Sequence, residues 1–361
     1  MRLSRAALPH LPSNVYRPQY DVAALTPGIL HLGCGNFHRA HQAVATQAAI
    51  NVEGAAGLRW GIVGATMRRP DLVNDLRPQD NLYTLLTRVS EKTVASVIGS
   101  IHTMVFSGDE QCDLPARIAD PRIHIVSLTV TASGYYLTAD GRLDEQAEAI
   151  TRDLTTTHPR TAVGILVAGL DLVRQRGTKP PVILSCDNVS HNGEALKQTV
   201  IDFAGLRGDD SLAEWIRATI QFPDTMVDRI APPTKLDDVA DARIALGGIE
   251  DAAPISAEPW FQWIIGAFDG PRPRWEAHPG TKFVRNVSVF EAAKLQMLNG
   301  SHMLLAYTGA LAGLNTINEA ASDPSLGHIT RNFMRYEQTA GIDLSADELD
   351  DYTDDLMERF R

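Results

Sequence analysis

Residues 28–38 read Gly28-Ile29-Leu30-His31-Leu32-Gly33-Cys34-Gly35-Asn36-Phe37-His38. A short apolar run of strand character ends in two glycines one residue apart and passes into the alanine-rich stretch 38–50, whose composition favours a helix. Strand, glycine turn and helix are the opening of a dinucleotide-binding unit. In such a unit Gly33 permits the tight turn and Gly35 lets the backbone approach a pyrophosphate. The helix N-terminus then supplies N–H donors and the positive end of its dipole. His38 stands where the usual fingerprint has a third glycine, so a plain strand-to-helix connection fits these residues as well.

Working outward, residues 1–27 hold Pro9, Pro12, Pro18 and Pro27 and read as irregular. Further strands are expected at 59–67, 123–130 and 181–185, with a helix over 162–176 closed by Gly177. Short apolar strands alternating with helices predict a parallel sheet covered on both faces. The alternation holds to about residue 225, and from Val287 the chain is mostly helix-compatible, as over 292–314. The fold class expected is therefore α/β: a Rossmann-type NAD(P)-binding domain over 1–285, then a mainly α-helical substrate-binding domain over 286–361. The acidic stretch 342–361 stops within an amphipathic helical pattern, as a truncated chain or a frayed terminus would.

Composition narrows the function. The 361 residues are 44% hydrophobic and 21% charged, with a net charge of −11, which excludes disordered and fibrous classes. No long basic tract suggests a nucleic-acid or membrane-surface partner. Cys34, Cys112 and Cys186 form no CxxC pair and suit a reducing, cytoplasmic setting. His38 and His41 lie three apart without a third ligand at useful spacing, so no metal site is expected.

Two regions hold the candidate chemistry. After the second strand comes Arg68-Arg69-Pro70-Asp71. The arginines suit the 2′-phosphate of NADP, Asp71 suits a free ribose, and a solvated loop suits both. Further on is Glu291-Ala-Ala-Lys294-Leu-Gln-Met-Leu-Asn299-Gly-Ser-His302. On a regular α-helix, with Lys294 at the origin, Glu291 falls at about 60°, His302 at about 80° and Asn299 at about 140°. A desolvated lysine that takes a hydroxyl proton, beside amides that stabilise an alkoxide, suits alcohol–ketone interconversion. An amphipathic surface helix accounts for the same pattern. Asn188, just after a strand, offers a second amide or a helix cap. Asp228 and Arg229 offer a charged pair among apolar residues.

Six segments in order, GILHLGCGNFHRAHQA (28–43), SLTVTASGYY (127–136), LSCDNVSHNG (184–193), FPDTMVDRI (222–230), EPWFQW (258–263) and KLQMLNGSH (294–302), resemble the mannitol dehydrogenase and fructuronate reductase family of long-chain polyol dehydrogenases. The resemblance implies a metal-independent NAD- or NADP-dependent enzyme, monomeric, acting on a small polyol or sugar acid. It implies Lys294 as general base and Asn188 with Asn299 as the oxyanion-stabilising pair. His302 and Asp228 would bind substrate hydroxyls and Glu291 would assist proton exchange. Gly33, Gly35 and Phe37 would lie on the cofactor turn, with Arg69 and Asp71 near the ribose. The chain departs from the family at Ala132, where glutamate is common, and at Arg69, where an acidic residue is common. The second departure eases NADP entry. Family members also run well past residue 361, so a C-terminally truncated chain is expected. MLNGSH (297–302) and HLGCG (31–35) lie nearer the fructuronate reductase branch. The competing reading is a nucleotide-binding sensor or inactive remnant, favoured by Ala132 and the short tail. A short-chain dehydrogenase is disfavoured, because Tyr83, Tyr136, Tyr307 and Tyr352 all lack a lysine four residues on.

Overall fold

The computed structural model describes residues 1–89 and 92–361. In chain order its strands are β1 (Pro27–Leu32), β2 (Gly61–Thr66), β3 (Tyr83–Val89), β4 (Lys92–Ile98), β5 (Ile101–Phe106), β6 (Ile125–Leu128), β7 (Val182–Ser185), β8 (Thr225–Asp228), β9 (Ile255–Ala257), β10 (Gln262–Gly266) and β11 (Thr281–Val284). The central sheet runs β5-β2-β1-β6-β7, and every neighbouring pair in it is parallel.

Both faces of this sheet are buried, as near-continuous apolar strands require. Ile29, Ile62, Ile125 and Leu184 join one apolar cluster, with Ala43, Ala49 and Ile50 from the helix Gln42–Glu53. Their strand neighbours Leu30, Val63, Val126 and Ile183 join the other, with Val163, Leu166 and Leu170 from the helix Ala162–Arg176. The alternation follows from successive side chains pointing to opposite faces. Helix Ala162–Arg176 is bounded as its sequence suggests. Thr161 caps its first turn by accepting from the Gly164 N–H, and Gly177 ends it in the left-handed region at φ 63°.

Two smaller sheets lie outside the alternation read from the sequence. One is β4-β3-β9 and the other β11-β10-β8. The helix expected over 38–50 is two helices, Asn36–Ala40 and Gln42–Glu53, broken at His41, whose φ −122° and ψ −94° leave the helical region. The reason is packing. His41 is fully buried and stacks on Phe37 and Phe261, and its Nε2 lies 3.1 Å from the Gln262 carbonyl.

The chain forms two compact units, Met1–Val284 and Arg285–Arg361. The second is helical throughout. Capping boxes start its helices Ile317–Ser322 (Thr316 with Glu319) and Ala346–Phe360 (Ser345 with Glu348). Arg335 pairs with Asp350 at 2.8 Å and Arg331 with Asp354, tying its last helices together. Among the described residues no helix is long and apolar enough to cross a membrane.

Candidate active site

The central sheet grows from β1 outward to β2 and β5, then returns to the other side of β1 for β6 and β7. The order thus reverses between β1 and β6, and open α/β sheets bind ligands beyond the carboxyl ends of their strands at such a point. Leu32 is in register with Ala65 on one side and Leu128 on the other, so Gly33, Thr66 and Thr129 emerge at one edge. A cleft of about 510 Å³ opens there. Gly33, Gly35, Thr66, Arg68, Arg69, Asp71, Thr131 and Arg160 are among its lining residues.

The two glycines differ physically. Gly33 has φ +91°, and a Cβ there would lie 2.2 Å from the Thr129 carbonyl oxygen, so no other residue fits. At Gly35 a Cβ would come no nearer than 3.8 Å to any atom, so its missing side chain leaves an open cradle on the cleft. That cradle, with helix Asn36–Ala40 directly after it, fits a dinucleotide pyrophosphate. Arg69 and Asp71 line the cleft and lie 3.6 Å apart, both well exposed. Phe37 is not among the lining residues; its ring packs inward on His41 at 4.8 Å. His38, in the place of the third glycine, is buried and stacks on the His31 ring at 3.5 Å.

In the second unit, Glu291, Lys294, Asn299 and His302 lie on one helical stretch, but it is not a regular α-helix. Helix Ser288–Ala293 runs into a π-helical turn over Lys294–Asn299 and then into helix Gly300–Leu311. The 100° spacing assumed from the sequence therefore fails across Lys294–Asn299. The i→i+5 pattern of a π turn advances less per residue and so reduces the angle between residues five apart. The α-helical angles from Lys294 to Asn299 and His302 therefore do not apply across this turn. Glu291 is buried, and the His302 ring lies 5.8 Å from that of Phe360.

In the first unit, Asn188 is exposed just beyond β7. Asp228 is buried at the end of β8 and accepts a hydrogen bond from Trp260 Nε1 at 2.9 Å. Arg229 donates to the Glu258 and Ala40 carbonyls and lies over the Phe261 ring.

Residues 27–277 match the mannitol dehydrogenase Rossmann domain and residues 286–361 the mannitol dehydrogenase C-terminal domain. The chain belongs to the mannitol dehydrogenase family. It is 38% identical over 357 residues to the D-mannonate oxidoreductase of Escherichia coli K12, covering 96% of this chain and 72% of that protein. Among solved structures it resembles Pseudomonas fluorescens mannitol 2-dehydrogenase in its ternary complex with NAD and D-mannitol. There the TM-score is 0.89 at 36% identity, covering all of this chain and 74% of that one. A substrate-free D-sorbitol dehydrogenase gives a TM-score of 0.92 at 30% identity, covering 99% of this chain and 74% of that one.

The chain thus has the two domains of an oxidoreductase family, and several residues that shape its cleft went unread in the sequence. His31, fully buried in β1, has Nδ1 2.8 Å from Ser127 Oγ and Nε2 2.9 Å from Thr129 Oγ1. Thr129 Oγ1 in turn donates to the Gly33 carbonyl at 2.9 Å, so this buried polar group holds the glycine turn from below. Burial pushes the His31 imidazole down to about 3, so the ring is neutral. Asp187, beside Asn188, accepts from the Val130 N–H at 3.1 Å, the Thr131 N–H at 2.7 Å and the Tyr135 hydroxyl at 3.1 Å. Burial raises its carboxyl above the usual range, against those hydrogen bonds. It clamps Thr131, a β-branched residue at φ +67°, onto the rim of the cleft. Ala132 begins the 3₁₀ turn Ala132–Tyr135 that follows. The available signal was polar side chains inside otherwise apolar strands, at Ser127, Thr129 and Ser185.

Proposed function

We propose that this chain is a nicotinamide-dependent dehydrogenase that interconverts a secondary alcohol and a ketone on an open-chain polyol or sugar acid, of the D-mannitol/D-fructose or D-mannonate/D-fructuronate kind. The observation that carries the reading is the switch-point cleft with its open Gly35 cradle, in a chain of this family. Gly33 and Gly35 would hold the pyrophosphate. Asp71 would take a free ribose and Arg68 with Arg69 a 2′-phosphate, so NAD and NADP are both accommodated. When bound, the nicotinamide supplies the hydride acceptor.

The chain's own residues handle the proton and the charge. Lys294 takes the hydroxyl proton as general base. The amides of Asn188 and Asn299 donate to the oxygen as negative charge develops on it. His302 and Asp228 hold further substrate hydroxyls, and Glu291, one turn before the lysine, passes the proton on to solvent. The unit carrying Lys294 is read as the substrate-binding domain.

Lys294→Ala is the test. Turnover on D-fructose and D-fructuronate with NADH and NADPH is expected to fall about 10²–10⁴-fold, the usual worth of a positioned acid–base group. NADH affinity, followed by fluorescence titration, is expected to stay unchanged. Near-parental turnover would remove the lysine from the mechanism.

A further inference from the structure

A π turn within an α-helix interrupts the i→i+4 hydrogen-bond ladder and persists where neighbouring groups satisfy what it displaces. In the turn over Lys294–Asn299, the Gly300 N–H donates to the Met297 carbonyl. In a regular helix it would donate to the Gln296 carbonyl. That carbonyl instead accepts from Nε2 of Gln338. The other end of the same amide, Oε1, accepts from Ser301 Oγ at 2.8 Å. One side chain thus spans the turn from Gln296 to Ser301.

The surroundings suit that task. Gln338 is only 8% exposed, so an amide engaged at both ends is held in one orientation. It ends a second π turn, Met334–Gln338, in which Arg335 is anchored to Asp350. Gly300 makes the approach possible: a Cβ there would lie 2.2 Å from Gln338 Nε2. All of these groups lie in the unit Arg285–Arg361.

The consequence is angular. On a regular α-helix Asn299 stands about 140° from Lys294. A π turn advances less per residue, so the angle between residues five apart is smaller while the turn is kept. We propose that Gln338 is a positioning residue for the reaction: by bridging the Gln296 carbonyl and Ser301 Oγ it maintains the π turn that sets the angle between Asn299 and Lys294. The proposal rests on the reading of Lys294 as general base.

Two variants break the bridge from opposite sides. Gln338→Met keeps the length and burial of the side chain and removes both hydrogen bonds. Gly300→Ala leaves Gln338 chemically intact and drives a methyl into its amide, while improving helix propensity. Each is expected to lower kcat about 10–100-fold, the effect of misplacing a catalytic group by around an ångström. Each is expected to move the inflection of the kcat–pH profile and to leave NADH affinity unchanged. The double variant is expected to be no slower than either single one, because both remove the same bridge.

Folded single variants with the parental kcat and pH profile would overturn the proposal, as would a lowered Tm alone or a double variant whose loss is the product of the two. If Gln338→Met does not fold, Gly300→Ala decides alone on the same criteria. The base reading is judged separately. Full turnover in Lys294→Ala sinks it, whereas an inactive Lys294→Ala beside an unaffected Gln338→Met sinks only the role of Gln338.

Discussion

A methyl group added at Gly33 would be driven to 2.2 Å from the Thr129 carbonyl oxygen on a backbone at φ +91°, whereas one added at Gly35 would meet nothing nearer than 3.8 Å. The two positions are two residues apart, and substituting them should fail in different ways. Gly33→Ala combines a clash with backbone strain and is expected to cost about 2–3 kcal/mol of stability, read as a lower urea midpoint. Gly35→Ala is expected to keep the parental midpoint and to weaken NADH binding at least about 10-fold, a difference of roughly 1.4 kcal/mol. Its methyl would fill the space through which the backbone meets phosphate. Parental NADH affinity in a folded Gly35→Ala would place the pyrophosphate elsewhere. His38 belongs to the same scale. Where a third glycine would let helix and strand approach closely, a neutral imidazole fills the gap by stacking on His31.

Between the elements, the loop after β6 is shaped by a residue just beyond β7. Asp187 holds the N–H groups of Val130 and Thr131 and the Tyr135 hydroxyl. Thr131 keeps its positive φ because those bonds over-determine it. Asp187→Asn turns one acceptor oxygen into a donor facing an N–H group. The expected result is a stability loss of about 1–3 kcal/mol together with weaker NADH binding, measured by chemical denaturation and fluorescence titration. Loss of stability with NADH affinity intact would mean that the loop does not shape the cleft. Some elements were legible because local signals agreed. In Ala162–Arg176 the apolar period and Gly177 agree on where the helix ends. The turn at Lys294–Asn299 was not legible, because periodicity reasoning presumes 3.6 residues per turn and this turn is held by a contact 42 residues away in sequence, from Gln338 to the Gln296 carbonyl. The break at His41 was hidden for the same reason: Phe261, which it stacks on, lies far along the chain.

At the scale of the whole molecule, the parallel sheet could be read from the sequence because each strand is a short apolar run buried on both faces. The two smaller sheets could not, since β9 is three residues long and finds β3 across more than 160 positions. Length and charge say equally little about another global property, the buried and half-buried histidines of the first unit. Burial holds His31 down at about 3 and His278 at about 4, and His38 lies well below its ordinary value through burial and its neighbours His31, His41 and Arg39. These rings are neutral in the native state and charge when the chain unfolds. Between their native values and the ordinary value near 6.5 the unfolded chain therefore binds more protons. Their contribution to stability is complete above about pH 6.5 and is lost as pH falls through that window. His31 alone accounts for about 2–3 kcal/mol of loss by pH 4.5, at 1.36 kcal/mol per unit. Carboxylates that keep their ordinary value bind the same number of protons in both states and add nothing to this slope. The urea midpoint is thus expected to fall steeply from pH 6.5 to 4.5, with the His31 ring resonances of the folded protein showing no titration over the same range. A flat midpoint, or a His31 ring that titrates near 6.5, would mean that water reaches the floor beneath the glycine turn.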